Sequence, residues 1–363
     1  MHKIKIIFGL LALLVLQACS EETSVPTSEE LVEVRNYEWK LVTSWPKNFP
    51  GLGHAPELFA KYVNEMSGGQ LKIKVYGAGE LVPGFEVFDA VSQGTAQMGH
   101  SGAYYWKGKM PAAPIFSAIP FGMNAAEMNA WLAHGGGLEL WRELYAPFGV
   151  VPYAGGNTGA QMAGWFKREI TSLDDFSGLK MRIPGLGGEV FKKVGGVPVS
   201  LTGGEIFVAL QTGAIDASEW VGPYNDLAFG LFRAAKYYYT TPWHEPGSNL
   251  EFLVNKEALE ALPAHLQKII EVATKAVNQE ILSEYAARNV QAMRKLTNEH
   301  GVKVRQLPED VLQALKAATM DVIVEKSAQD ATFKKVYKSY EDFYKKIEKY
   351  NALSEQAYFN LRQ

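Results

Sequence analysis

Arg182 stands in the stretch Gly178–Gly188, GLKMRIPGLGG, where Leu179, Met181 and Ile183 alternate as one face of a short strand. Pro184 and a run of glycines end that strand. A guanidinium can hold a carboxylate through two parallel hydrogen bonds, which lysine cannot copy. Further on, AIDASEW reads as a second strand that delivers Glu219 and Trp220 ahead of Gly222 and Pro223. Ligands of open α/β sheets sit outside the carboxyl ends of strands. A cation, a carboxylate and an aromatic ring thus arrive at the same kind of place. Two partners for Arg182 fit this spacing equally: a bound carboxylate, or Glu219 or another acid in a structural ion pair.

More oxygen ligands follow in loops. NTGAQ, which contains Asn157 and Gln161, comes after the apolar VVPYAGG, and Glu245 lies in the proline-bounded TPWHEPG. Amide side chains offer neutral oxygens and N–H donors. Gln161, Glu219 and Glu245 together make a hard, oxygen-rich cation site. Taken singly, each reads as a solvated loop residue. Enzyme signatures are thin: GxSxG, HExxH and a phosphate loop are all missing, and Val190 breaks the GxGxxG pattern begun by Gly185 and Gly187. The seven histidines are dispersed, and His100, His134 and His244 lack neighbours at ligand spacing. The chain is equipped to hold something rather than to change it, so the primary reading is not an enzyme. The rival reading is a metal-dependent lyase or hydrolase for a small organic acid, with Glu219, Glu245 or His244 as base.

The elements that must position these groups occur twice. LKIKVYGAG (Leu71–Gly79) parallels LKMRIPGLG (Leu179–Gly187), and VFDAVSQGTAQMG (Val87–Gly99) parallels IFVALQTGAIDAS (Ile206–Ser218). Their unequal spacing describes two lobes on one strand–helix–strand plan, not a solenoid. The helix around Glu205–Gln211 has Thr202 as its N-cap and Gly213 where a left-handed C-cap needs glycine. Alternating strands and helices predict an α/β fold with mixed, mainly parallel sheets. After Phe252 the chain turns helical: 256–300 is interrupted at Pro263, and a last helix spans about 331–350. Phe333, Val336, Tyr337, Tyr340, Phe343, Tyr344 and Ile347 form an aromatic-rich stripe on it. That stripe reads as packing surface, or alternatively as a partner-binding face, a homodimer included.

With 363 residues, 47% hydrophobic and 21% charged, the chain can build two packed domains. Its net charge of −3 shows no basic excess for nucleic acid. Lys3 and Lys5 precede an apolar run, Ile6–Leu16, that is too short to span a bilayer and reads as a secretory signal. LQAC at 16–19 resembles a bacterial lipobox, and Cys19 is the only cysteine. The expected organisation is a lipoprotein signal at 1–18, an acidic tether at 19–36, lobes at 37–155 and 156–242, and a return segment with long helices at 243–363.

GLKMRIPG followed by GGEIFVALQTGAIDASEW strongly resembles the solute-binding proteins of tripartite ATP-independent periplasmic (TRAP) transporters. The similarity is strongest to the subgroup that binds 2-oxo and 2-hydroxy monocarboxylates with a metal ion. It covers roughly 37–350, SWPKNFPG included. The resemblance implies a two-lobed clamshell, braced by the long helices, that delivers pyruvate- or lactate-like acids to a membrane permease from a lipid-anchored periplasmic position. It implies that Arg182 holds the substrate carboxylate, so that this arginine's partner is the ligand and not the protein. Asn157, Tyr104 and Tyr105 would also touch substrate. Gln161, Glu219, the Trp220 carbonyl and Glu245 would ligate the metal, where two carboxylates favour calcium over sodium.

Overall fold

The computed structural model describes residues 35–363; the signal, Cys19 and nearly all of the tether lie outside them. Among the described residues eleven strands form two sheets. They are β1 (Tyr37–Thr43), β2 (Leu71–Tyr76), β3 (Met98–Ser101), β4 (Val150–Asn157), β5 (Gly164–Phe166), β6 (Lys180–Arg182), β7 (Val197–Val199), β8 (Ala217–Ser218), β9 (Tyr237–Tyr239), β10 (Asn249–Asn255) and β11 (Lys303–Arg305). One sheet has the order β2-β1-β3-β10-β4 and the other β11-β9-β5-β8-β6-β7. Both are mixed. Pairings made by β10 and the two made by β5 are antiparallel; the remaining five are parallel.

Local chemistry explains the element ends. Thr202 and Glu205 close a reciprocal capping box on helix Gly203–Thr212, and Gly213 ends it at φ 84°. Pro263 stands as the N-cap of the 35-residue helix Ala264–Asn298, after the short helix Lys256–Glu260. AIDASEW yields only a two-residue strand. Beyond Ser218 the chain leaves the sheet, and Glu219 turns into the interior.

The segment after residue 243 serves both sheets, adding β10 to one and β11 to the other. Helix Ala264–Asn298 packs on β4 and on helices His54–Met66 and Pro223–Phe229. Its Asn278 accepts a hydrogen bond from Gly156 N at 3.0 Å, and its Tyr285 donates to Asn225 at 2.8 Å. The stripe on helix Ala331–Leu353 is packing surface: Phe333, Val336 and Tyr340 are buried, with Tyr340 against Trp131. No helix among the described residues is long and apolar enough to cross a membrane.

Two acids are sealed inside this framework. Glu251 on β10 accepts hydrogen bonds from the Trp106 indole and from the Tyr145 hydroxyl at 2.9 Å. Burial pushes its pKa up to about 8 from an ordinary 4.5. Asp226, bonded to Tyr238 at 2.6 Å and Trp165 at 2.9 Å, is pushed up by burial to about 7. Between pH 4.5 and 8 folded Glu251 keeps a proton that the unfolded chain has released. Stability therefore falls as pH rises through that window, by about 1.4 kcal/mol per unit for this one group. Glu251→Gln is expected to remove that part of the slope. Denaturant melts from pH 5 to 8 check it, and an unchanged slope in the variant would contradict a raised Glu251 pKa.

Candidate functional site

Parallel strands β6 and β8 end side by side, with Arg182 opposite Ser218 in register. The Glu219 amide then donates to the Arg182 carbonyl at 3.1 Å. This geometry sets the two side chains next to each other, almost wholly out of solvent. Arg182 Nη1 donates to Glu219 Oε1 in a short ion pair; Nε donates to the Leu201 carbonyl at 3.2 Å, and Nη2 to the Tyr105 hydroxyl at 3.1 Å. The guanidinium also lies 5.0 Å from the Trp220 ring centroid. The implication that Arg182 has no partner within the protein is thus corrected. A guanidinium this deeply buried needs a counter-charge, and strand register supplies Glu219. Burial works against the Arg182 charge, but Glu219, with the nearby tyrosines and Glu245, outweighs it and holds the pKa above its ordinary value.

A second cluster forms between the loop after β4 and the segment before β10. Gln161 Nε2 donates to Glu245 Oε2 at 2.7 Å and to Thr158 Oγ1 at 3.1 Å. The Gln161 amide donates to the Glu245 carbonyl at 3.2 Å. Asn157 closes β4, and its Oδ1 accepts from Gly159 N at 2.9 Å. Burial, then the Glu219 charge, push the Glu245 pKa up to about 7. A second carboxylate beside Glu245 in a dry site calls for a cation.

Several buried polar atoms here have no hydrogen-bond partner: Glu219 Oε2, Gln161 Oε1, Asn157 Nδ2 and both ring nitrogens of His244. Buried polar groups are normally satisfied, and leaving one unmade costs about 1–3 kcal/mol. Two free oxygens and a free N–H donor in one region fit a cation beside an oxygen-bearing ligand. No group of three or more His, Cys, Asp or Glu is arranged as a metal site among the described residues. A cation here would draw on two carboxylates together with amide and backbone oxygens, which suits a hard ion.

Tyr104 and Tyr105 arrive from the short turn Ala103–Trp106 that follows β3. Burial is the first cause that raises both phenol pKa values, so each keeps its proton. Tyr104 packs over Gly185, where a Cβ would come within 3.0 Å of it and φ is +61°, so glycine serves both needs. Next along the chain, Lys107 pairs with Glu189 at 2.8 Å. These contacts close the turn over the β6 end.

All the residues singled out from the sequence near this site are buried or nearly so; Cys19 lies outside the described residues. His244, which the sequence offered only as a base in the rival enzymatic reading, has its Nε2 3.5 Å from Glu219 Oε2. Its place beside Glu245 in TPWHEPG was the one available signal. Thr158, which bridges Gln161 and the Ser248 amide at 3.1 Å each, carried none.

Residues 41–330 match the family described as bacterial extracellular solute-binding protein, family 7. The chain belongs to that family. A relative from Nostoc sp., named monocarboxylate 2-oxoacid-binding periplasmic protein, is 44% identical over 338 residues, 93% of this chain and 92% of its own. A TRAP periplasmic solute-binding protein from Pseudoalteromonas atlantica, solved with sodium and pyruvate, superposes with a TM-score of 0.88 at 41% identity, over 90% of this chain and 99% of that one. Its counterpart from Colwellia psychrerythraea, solved with calcium and pyruvate, gives 0.87 at 42% identity with the same coverage. This family 7 chain is therefore a TRAP solute receptor with the two-lobed fold of its relatives, and its family is one of extracytoplasmic binding proteins.

Proposed function

We propose that this receptor binds a small 2-oxo or 2-hydroxy monocarboxylate, of pyruvate or lactate size, together with calcium, and hands it to a TRAP permease in the membrane. The observation that carries this reading is the set of unpartnered buried atoms: Glu219 Oε2 beside Arg182, and Asn157 Nδ2 and Gln161 Oε1 at the end of β4 and in the loop after it. Pyruvate with a metal ion in two relatives at 41% and 42% identity supports it.

In this reading Gln161, Glu219, Glu245 and the Trp220 carbonyl hold the ion. Bound there, the ion supplies the positive charge that draws Glu219 and the ligand oxygens together. Arg182 then shares its fork with the ligand carboxylate, while Asn157 Nδ2 and the tyrosine hydroxyls donate to ligand oxygens. The lobes are 37–155 and 156–242, braced by 243–363, and lipid on Cys19 anchors the chain.

Isothermal titration of calcium-supplied receptor is expected to show one equivalent of pyruvate or lactate bound, and no heat with a dicarboxylate or a sugar acid. The ligand should be recovered unchanged by NMR after incubation. Silence with every 2-oxo and 2-hydroxy monocarboxylate would overturn the substrate class.

A further inference from the structure

Strand β10 reads NLEFLVN, six buried residues of which one is an acid. An acid among the apolar side chains of Leu250, Phe252, Leu253 and Val254 breaks the local rule, and such breaks accompany functional demands. Glu251 sits opposite Ser101, the last residue of β3, and the turn Ala103–Trp106 starts two residues on. Glu251 Oε1 accepts the Trp106 indole N–H, and Oε2 accepts the Tyr145 hydroxyl. Among the described residues these two side chains, neither of them charged, are the ones that hydrogen-bond it. Trp106 is the last residue of the turn that carries Tyr104 and Tyr105, and Tyr105 reaches Arg182.

Resting on the function proposed above, we infer that Glu251 is a positioning residue: by fixing the Trp106 indole it sets the Tyr104–Tyr105 turn over Arg182 and so tunes ligand affinity from outside the cleft. A leucine of similar size would leave the Trp106 N–H buried and unpaired, and the turn would shift to satisfy it. Glutamine keeps both contacts, since its carbonyl accepts from Trp106 and its amide donates to the Tyr145 oxygen.

The test uses pyruvate with calcium at pH 6.5, with amide exchange of the ligand-free protein read in parallel. Glu251→Leu is expected to weaken pyruvate about tenfold and to speed exchange in 102–107. Glu251→Gln should leave both within about twofold. Trp106→Phe should reproduce the loss, whereas Tyr145→Phe, which removes the other hydrogen bond of the same acid, should not. That split is one that a merely structural role would not produce. Wild-type affinity in Glu251→Leu, or equal losses in the two aromatic variants, would overturn the inference. Should Glu251→Leu fail to fold, the aromatic pair decides. If the wild type binds no pyruvate, the function proposed above has failed, and exchange in 102–107 of the Trp106 and Tyr145 variants judges the positioning claim by itself.

Discussion

Arg182→Lys is expected to weaken pyruvate binding by at least about 100-fold while leaving the receptor folded. Charge-assisted hydrogen bonds are each worth about 1.5–3 kcal/mol, and lysine cannot keep the fork that reaches Glu219, Leu201 and Tyr105 together. Lysine nevertheless keeps a cation beside Glu219, so stability should fall only modestly. Arg182→Ala is the contrasting case. It leaves Glu219 buried without its partner, a change that typically costs about 3–5 kcal/mol of stability. Titration calorimetry reads the first effect and denaturant unfolding the second. A lysine variant that binds pyruvate within about fivefold of wild type would remove Arg182 from the ligand site and leave it a structural ion pair with Glu219.

Removing calcium is expected to lower pyruvate affinity about 100-fold or more, with sodium a poor substitute. Glu219, Glu245 and a bound monocarboxylate bring three negative charges into a site with almost no solvent. Arg182 and a divalent ion offset all three, whereas Arg182 with sodium leaves one buried charge unbalanced. Glu245→Gln removes one of the three charges. It should weaken calcium and let sodium support binding, while keeping a side-chain oxygen for the ion. Calorimetry on chelator-treated protein with calcium or sodium returned separately measures this. Full wild-type affinity in sodium alone would reject calcium, and pyruvate is found with sodium in one relative and with calcium in another.

Much of this site was readable one residue at a time. Arg182 at a strand end, Glu219 and Trp220 before Gly-Pro, and the amides of NTGAQ each declare a chemistry by residue type, and turn residues mark the strand ends. The Thr202 N-cap, the Gly213 C-cap and the break at Pro263 were equally legible, because each is settled within four or five residues. The same holds for the aromatic stripe of the last helix, although its spacing left two uses open and packing against Trp131 chose one.

Tertiary structure decided the partners. Arg182 meets Glu219 across 37 residues because β6 and β8 run in parallel register, which neither strand encodes alone. Gln161 meets Glu245 across 84 residues, and Trp106 meets Glu251 across 145. The antiparallel places of β10 and β5 likewise come from segments that return from far along the chain. Residue type and local spacing determine which groups can bind, cap or turn, since those energies act within one turn or one strand. Which group satisfies which is determined by burial: desolvation makes a lone charge costly, so only the folded arrangement can say where each finds its counterpart.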